Sequence, residues 1–133
     1  MDEKSLELLK DRKALLFCFA EKNKNIDILE KTAEDFEIIK CNGIEFFPVY
    51  EILLNKHTPK EEKNTFPYNY GIFHNFSRDE IVKYIPVIRE KVDGKTIFAT
   101  TTPTNLNWGF LDLIKEITQE HEEMLRIRKN ASE

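Results

Sequence analysis

Glycine and cysteine are scarce in this chain, and their scarcity excludes several familiar kinds of site. The four glycines among 133 residues form no G-x-G-x-x-G pattern, so a nucleotide-binding fingerprint is absent. The two cysteines, Cys18 and Cys41, form no CxxC pair and no cluster with histidine at zinc spacing, so neither a disulfide framework nor a zinc site is indicated. We expect both to be small buried hydrophobic residues, and we expect no metal and no cofactor.

Long apolar runs and an excess of positive charge are missing as well. No run approaches the roughly 20 apolar residues that a membrane-spanning helix needs, so no membrane partner is expected. The run ALLFCFA at residues 14–20 is followed by Glu21 and Lys22, where a signal peptide would carry small residues, and we therefore place the protein in the cytoplasm. The net charge of −4 argues against nucleic acid, because phosphate groups are neutralised by a basic surface.

What the chain does contain is typical of an α/β domain. Hydrophobic residues make up 41% and charged residues 33% of the composition, which indicates one globular domain over residues 1–133. Short apolar runs alternate with stretches whose apolar residues recur at helical spacing. The predicted strands are residues 15–19, 37–41, 70–76 and 95–100, and the predicted helices are residues 26–36, 46–55, 78–92 and 108–128.

The order strand–helix–strand–helix occurs twice, in residues 14–55 and 70–128, which a polar linker at residues 56–69 joins. The first strands of the two halves are alike, ALLFCFA and YGIFHNFS, and this predicts an internal duplication. Alternating strands and helices predict parallel strands joined by right-handed crossovers. We expect a small, mostly parallel four-stranded sheet in the order 2-1-3-4 with helices on both faces. A ferredoxin-like α+β arrangement with antiparallel strands is the alternative.

Short hydroxyl and amide side chains collect in ATTTPTNLNWGF, residues 99–110, which we call the threonine-rich loop. In open parallel sheets, ligands bind outside the carboxyl ends of the strands, where the strand order reverses. A helix start at the same place attracts anions through its unpaired amides. The candidate ligand-binding residues are therefore His74, Asn75, Thr100, Thr101, Thr102, Asn105 and Asn107. The alternative is purely structural, because threonine, proline and asparagine are ordinary turn and cap residues.

Trp108, the only tryptophan, stands at the start of the predicted last helix, whose apolar stripe continues through Leu111, Ile114 and Ile117. We expect its ring to be largely buried, to anchor this helix against the sheet and to fix the threonine-rich loop. A buried ring of this size would contribute about 3 to 5 kcal/mol to stability.

A motif of the form Thr-Pro-x-Asn-x-x-Trp, followed by Glu-His-Glu, spans the loop and the last helix. Its members are Thr102-Pro103, either Asn105 or Asn107, Trp108, and Glu120-His121-Glu122. With this motif, residues 70–124 resemble the domain-of-unknown-function family number 3783, found in small bacterial proteins. The resemblance implies a small α/β domain without a known activity, and it implies that Pro103, Trp108 and His121 belong to a structural motif.

Three functions are compatible with these patterns. The first is a non-catalytic module that binds an unknown small molecule or anion at the threonine-rich loop. The second is a protein–protein interaction domain, most simply a homodimer, because a four-stranded sheet leaves two edges that invite pairing. The third, which the sequence favours least, is an enzyme that uses His74 with Cys18, since neither residue has a recognisable orienting partner. We therefore assign no catalytic residue.

Overall fold

The structure, a computed structural model, describes residues 2–55, 57–58 and 60–132. Its strands and helices alternate as the sequence predicts, with an additional helix at the amino end. In chain order they are α1 (Glu3–Asp11), β1 (Ala14–Cys18), α2 (Asp27–Glu30), β2 (Glu37–Lys40), α3 (Val49–Leu53), β3 (Asn69–His74), α4 (Arg78–Lys91), β4 (Thr96–Thr100), a short 3-10 helix (Asn105–Asn107) and α5 (Phe110–Ser132). No helix within the described ranges is long and apolar enough to cross a bilayer.

The four strands form one sheet in the order β2-β1-β3-β4, which confirms the predicted strand order. The outer pairs are parallel, as predicted, but the central strands β1 and β3 are antiparallel. The central register sets Ala14 opposite His74 and Cys18 opposite Tyr70. The sheet is therefore mixed. The expectation of a mostly parallel sheet is wrong, and the parallel outer pairs do not fit the antiparallel ferredoxin-like alternative.

The path between β2 and β3 explains why the central pair is antiparallel. α3 leads the chain back toward the start of β1, where Leu54 lines a pocket with Arg12. The segment that follows then runs to the opposite end of the sheet, where the Phe66 amide donates to the Ala20 carbonyl at 2.9 Å. The Ala20 amide donates in turn to the side chain of Asn69 at 2.8 Å. The chain therefore enters β3 at the carboxyl end of β1, and the two strands run in opposite directions.

Both crossover helices, α2 and α4, lie on one face of the sheet. Right-handed crossovers that start from two antiparallel strands and move outward in opposite directions place their helices on the same side. Leu29 of α2 accordingly shares a core cluster with Tyr84 and Ile88 of α4. The other face is covered by α1, α3 and α5, whose core residues are Leu9, Val49, Ile52, Leu53, Phe110, Leu113, Ile114 and Ile117. This is the arrangement that a duplication would produce, and the duplication itself stays a prediction.

The crossover helices differ in how well the sequence predicted them. α4 begins with the predicted capping box, in which the Ser77 side chain accepts from the Glu80 amide and the Glu80 side chain accepts from the Ser77 amide. α2 has only four residues, although the apolar spacing predicted a helix to residue 36. The Thr32 hydroxyl donates to the Leu29 carbonyl at 2.6 Å, and such local bonds offer the backbone a turn in place of a helix.

The covering helices α3 and α5 both start later than predicted, at Val49 and Phe110. One contact explains both shifts, because Pro48 and Gly109 form an antiparallel bridge that keeps the chain extended just before each helix. Of the predicted linker, residues 56 and 59 lie outside the described residues, and residue 69 belongs to β3.

Candidate functional site

His74, the last residue of β3, is buried, and both nitrogens of its ring are hydrogen bonded within the chain. Nε2 lies 2.7 Å from the Leu9 carbonyl oxygen, and Nδ1 lies 2.7 Å from the Thr101 hydroxyl oxygen. Because a carbonyl can only accept, Nε2 carries the proton and Nδ1 accepts from the hydroxyl. Burial lowers the pKa of His74, the bond to Leu9 raises it, and the charge of Arg12 lowers it. His74 is therefore a neutral link between α1, β3 and the threonine-rich loop.

Asn75 caps the carboxyl end of α1 from a left-handed backbone conformation, with φ of +63°, that asparagine tolerates better than most residues. Its side-chain nitrogen donates to the carbonyls of Leu9 at 2.8 Å, Lys10 at 2.9 Å and Arg12. These are carbonyls that the end of a helix leaves unpaired. Together, His74 and Asn75 hold α1 across this end of the sheet.

Thr102 and Asn105 close the threonine-rich loop with a reciprocal pair of hydrogen bonds. The Asn105 amide donates to the Thr102 hydroxyl oxygen at 3.0 Å, and the Thr102 amide donates to the Asn105 side-chain oxygen at 2.7 Å. The Asn105 side-chain nitrogen also donates to the Thr100 carbonyl at 3.1 Å. This reciprocal pair has the form of a capping box and closes the turn that precedes the 3-10 helix, and Pro103 lies within this turn, where no N–H is needed. Asn105, which makes these bonds, is buried, whereas Asn107 is exposed.

A pocket of about 460 Å³ lies between α1 and the threonine-rich loop, and we call it the loop pocket. Its lining residues are Leu6, Leu9, Lys10, His74, Asn75, Thr101, Thr102, Pro103, Leu106 and Asn107. The carboxyl ends of the parallel strands β3 and β4 meet at this edge of the sheet, and this explains why most of the predicted ligand-binding residues come together here. Thr100 and Asn105 are the two that do not line the pocket.

Residues 72–124 match the model of a family described as "Domain of unknown function (DUF3783)". The match confirms the resemblance that the sequence motif predicts. It runs from β3 into the second half of α5, so it includes His74, Asn75 and the whole threonine-rich loop but not α1. No curated protein and no solved structure matches the chain.

Trp108, a member of the motif within the DUF3783 match, does not fill the core. It is 36% exposed, so the prediction of a largely buried ring is wrong. The reason lies in the backbone around it, because the Val49 amide donates to the Trp108 carbonyl at 2.9 Å and the Phe110 amide donates to the Phe47 carbonyl at 3.0 Å. This pairing with the start of α3 directs Phe110 into the core, where it is fully buried.

The backbone amides of the loop residues that line the loop pocket are already paired within the chain. The Thr101 amide donates to the Phe73 carbonyl at 2.9 Å, and the Leu106 amide donates to the Thr102 carbonyl at 3.1 Å. Asp112 also adds a negative charge to the first turn of α5. An anion in the loop pocket would therefore meet side chains, and not the open helix start that the sequence suggested.

Cys18 and His121 lie away from the loop pocket. The central register separates the pair that contains Cys18 from the pair that contains His74 by four residues, or about 13 Å along the strand. Burial raises the pKa of Cys18, which disfavours the thiolate that a nucleophile needs. The His121 ring packs against Tyr68, with 5.3 Å between ring centres. The structure therefore does not bring Cys18 and His74 together as an enzyme would require.

α1 supplies a wall of the pocket that the sequence reasoning missed. The signals for this helix are present in the sequence, because Asp2 can cap it and Leu6 and Leu9 are one turn apart. In the structure the Asp2 side chain accepts from the Ser5 amide at 2.8 Å. Lys10, in the last turn, is the only charged residue among the described residues that line the loop pocket.

A larger pocket of about 540 Å³ lies at the opposite end of the sheet. Its charged lining residues are Lys24, Lys91 and Lys95 together with Glu21, Asp27 and Asp93. Because charges of both signs are interleaved there, that pocket has less preference for an anion than the loop pocket has. Within the described ranges, no three His, Cys, Asp or Glu side chains are grouped so that they could hold a metal ion.

Proposed function

We propose that this protein is a non-catalytic binding module that holds a small organic acid with an apolar body in the loop pocket. One observation carries the proposal: among the described residues that line it, the loop pocket combines an apolar wall with a single charged residue, Lys10. Its volume of about 460 Å³ falls among those of small-molecule sites, which are about 300 to 1,000 Å³. The proposal includes the cytoplasmic location that the sequence predicts.

The apolar body of the ligand would lie against Leu6, Leu9, Leu106 and Pro103, which come from both walls of the loop pocket. Leu6 is 42% exposed, so a ligand that covers it removes apolar surface from water. Each square ångström of apolar surface buried in this way is worth about 25 cal/mol. The wall thus supports a ligand with several carbon atoms rather than a bare inorganic anion.

The acidic group would bind Lys10 and Asn107 at the polar side of the pocket. Both side chains are exposed, and Lys10 has no acidic partner in the part of the chain that the structure describes. The Thr102 hydroxyl oxygen accepts from the Asn105 amide and keeps its own proton for a further bond. Hydrogen bonds between an ammonium group and a carboxylate are about twice as strong as neutral ones, so Lys10 would fix the orientation of the acid.

One observation favours a second function, which is acyl transfer by Thr101. Its hydroxyl donates to Nδ1 of His74, and the Leu9 carbonyl orients that ring, as in an activated nucleophile. Such a reaction also needs donors for the oxyanion, and the amides of Thr101 and Thr102 are already bonded to Phe73 and Asn105. We therefore propose the non-catalytic function first. If the protein hydrolyses an activated ester and Thr101→Val abolishes this activity, acyl transfer becomes the preferred function.

Thermal unfolding with hexanoate, phenylacetate and inorganic phosphate tests the binding function. A ligand at about 100 times its Kd stabilises the folded state by about 2.7 kcal/mol, which raises the Tm by several degrees. We expect a rise with at least one of the two organic acids and none with phosphate, which lacks an apolar body. No rise with either acid would contradict the proposal.

Two substitutions locate the site. Lys10→Gln and Asn107→Ala remove the groups proposed for the acid, and both positions are exposed, so the fold should persist. Each should reduce the rise in Tm. Lys4→Gln is the matched control, since Lys4 is exposed on the same helix but does not line the loop pocket. An equal rise in Tm in all three variants would show that the ligand binds at another site.

A further inference from the structure

The larger pocket, of about 540 Å³, lies at the end of the sheet opposite the loop pocket, and we call it the far pocket. Its lining residues come from residues 19–28, which lead from β1 into α2, from residues 91–95, which connect α4 to β4, and from residues 67–69 at the start of β3. Because β3 lies between β1 and β4 in the sheet, the first two segments form opposite sides of the far pocket. We call residues 19–28 the α2 side and residues 91–95 the turn side.

Asn69, the first residue of β3, joins the two sides of the far pocket and is only 3% exposed. Its side-chain oxygen accepts from the Ala20 amide at 2.8 Å, and its side-chain nitrogen donates to the Asp93 carbonyl at 2.9 Å. Both partners are backbone groups, so a buried side chain fixes how far apart the two sides are. The far pocket is therefore formed before a ligand binds, as small-molecule sites usually are.

The two sides of the far pocket carry opposite net charges. The lining of the α2 side has two carboxylates and one ammonium group, a net charge of −1, from Glu21, Asp27 and Lys24. The lining of the turn side has two ammonium groups and one carboxylate, a net charge of +1, from Lys91, Lys95 and Asp93. The Lys24 ammonium group lies 3.3 Å from the Glu21 carboxylate on its own side. Among the residues that the structure describes, no ion pair joins the α2 side to the turn side, so the net charge of each side is available to a ligand.

The surface between these charged groups is apolar. Phe19 from the α2 side and Val92 from the turn side are buried in the same core cluster, and both line the far pocket. Ile28, on the α2 side, is 47% exposed, so a ligand that covers it removes apolar surface from water. The far pocket thus offers an apolar surface between a negative side and a positive side.

We propose that the far pocket is a second binding site, which takes a zwitterion with an apolar body, namely an amino acid or a dipeptide with an apolar side chain. The ammonium group of the ligand lies toward the α2 side and its carboxylate toward the turn side, since the reverse orientation brings like charges together. A ligand with a single charge would pair with one side and leave the other without a partner. The volume of about 540 Å³ falls within the range of about 300 to 1,000 Å³ of small-molecule sites.

The far pocket is independent of the loop pocket. The two share no lining residue, and the five steps from Asn69 to His74 set them about 17 Å apart along β3. The ligand classes also differ, because the described lining of the loop pocket contains an ammonium group and no carboxylate. The two proposals can therefore fail separately.

Isothermal titration calorimetry with phenylalanine and with leucyl-phenylalanine tests the proposal and distinguishes an amino acid from a dipeptide as the ligand. Each compound is compared with its N-acetylated form, which lacks the ammonium group, and with its amide, which lacks the carboxylate. The full chain carries Lys10→Gln, so that the loop pocket lacks the charge that would attract the acidic compounds. We expect at least one zwitterion to bind at least about tenfold more tightly than both of its blocked forms. Failure of both zwitterions to bind, or equal binding of the blocked forms, overturns the proposal.

Two pairs of substitutions assign each charge of the ligand to one side of the far pocket. Lys91→Gln with Lys95→Gln removes the positive charge of the turn side, and this variant should bind the zwitterion no more tightly than the amide. Glu21→Gln with Asp27→Asn should in the same way abolish the preference over the N-acetylated form. All four side chains are exposed, so the fold should persist, which circular dichroism checks. The opposite assignment, or no change in either preference, overturns the proposal.

Matched controls make the same changes of charge away from the far pocket. Lys4→Gln with Lys129→Gln, and Glu7→Gln with Glu30→Gln, alter exposed residues that do not line it. Both preferences for the zwitterion should persist in these controls. Equal losses in the controls would show that net charge, and not the far pocket, decides binding, and they would also overturn the proposal.

Discussion

On the face that α1, α3 and α5 cover, the two halves of the molecule end in different ways. In the first half, the segment after α3 returns over the end of the sheet, and there the Lys60 amide donates to the Gly43 carbonyl at 2.9 Å and the Phe66 amide to the Ala20 carbonyl at 2.9 Å. In the second half, only α1 lies across the end, and the loop pocket remains beneath it. On this face of the sheet, one order of strands and helices thus produces both a covered end and an end with a pocket, whereas the larger pocket at the covered end lies on the side of α2 and α4.

The loops before α3 and α5 differ in the same sense. Asn42, before α3, bonds across to the neighbouring strand: its side-chain oxygen accepts from the Phe19 amide at 2.8 Å, and its side-chain nitrogen donates to the Phe19 carbonyl at 3.0 Å. Asn105, before α5, bonds to Thr100 and Thr102 of its own loop. Asn105 thus closes its own loop, and the bonds from that loop to the neighbouring strand β3 come from Thr101 instead. The outer surface of the loop is left to form the wall of a pocket.

Of the two loop asparagines, the one that bonds across to the neighbouring strand should have the larger effect on stability. Asn42→Ala leaves the buried backbone of Phe19 without its side-chain partners, and unsatisfied buried groups cost about 1 to 3 kcal/mol each. We expect a loss of about 3 kcal/mol in the free energy of unfolding, measured by urea titration. Asn105→Ala should lose about 1 kcal/mol, as for a lost cap, because its partner Thr102 is exposed and water can replace the lost bond. Similar losses in both variants would contradict this comparison.

A smaller effect is predicted for His74, which connects the second half to α1. Burial lowers the pKa of His74 below its usual 6.5 in the folded protein. The unfolded chain therefore binds a proton that the folded chain does not bind, so stability is fully present above about pH 6.5 and falls as the pH drops toward the folded pKa. His74→Gln keeps a donor and an acceptor but does not titrate. The free energy of unfolding of this variant should therefore depend less on pH.

Urea titrations between about pH 5 and pH 7.5 measure this dependence. His121→Gln is the matched control, because His121 packs against Tyr68 outside the loop pocket. In the control, the free energy of unfolding should vary with pH as it does in the wild type. If the free energy of unfolding of His74→Gln depends on pH as strongly as that of the wild type, protonation of His74 does not cause the pH dependence. The prediction of a neutral link between α1 and the threonine-rich loop would then be contradicted.

The strand order could be predicted from the sequence, but the direction of the central strands could not. Two alike apolar runs indicate two central strands, and an apolar run has the same pattern in either direction. What decides the direction is the route of the segment before β3, which depends on contacts such as that of Phe66 with Ala20. Those residues are 46 positions apart in the printed sequence, and no local pattern joins them.

Only part of the candidate site could be predicted from the sequence, because the rest depends on contacts between distant residues. His74 and Thr101 follow neighbouring strands, so the parallel pairing of β3 with β4 brings them together whatever the central strands do. Lys10 and Leu6 belong to α1, whose place across the sheet depends on the bonds that Asn75 makes to its last carbonyls. Local spacing predicts that such a helix exists but not where it packs.

The smallest effect is predicted for Trp108, and it tests whether the start of α5 is set by the Pro48–Gly109 bridge. Trp108 is 36% exposed, so Trp108→Ala should cost less than about 1 kcal/mol in urea titration, whereas Phe110→Ala should cost about 3 to 5 kcal/mol. Since Trp108 is the only tryptophan, its fluorescence should also be quenched readily by acrylamide. A large loss in Trp108→Ala together with a protected ring would mean that α5 begins at residue 108, as its periodicity suggests. The loop would then pack inward, and the loop pocket would have lost one of its walls.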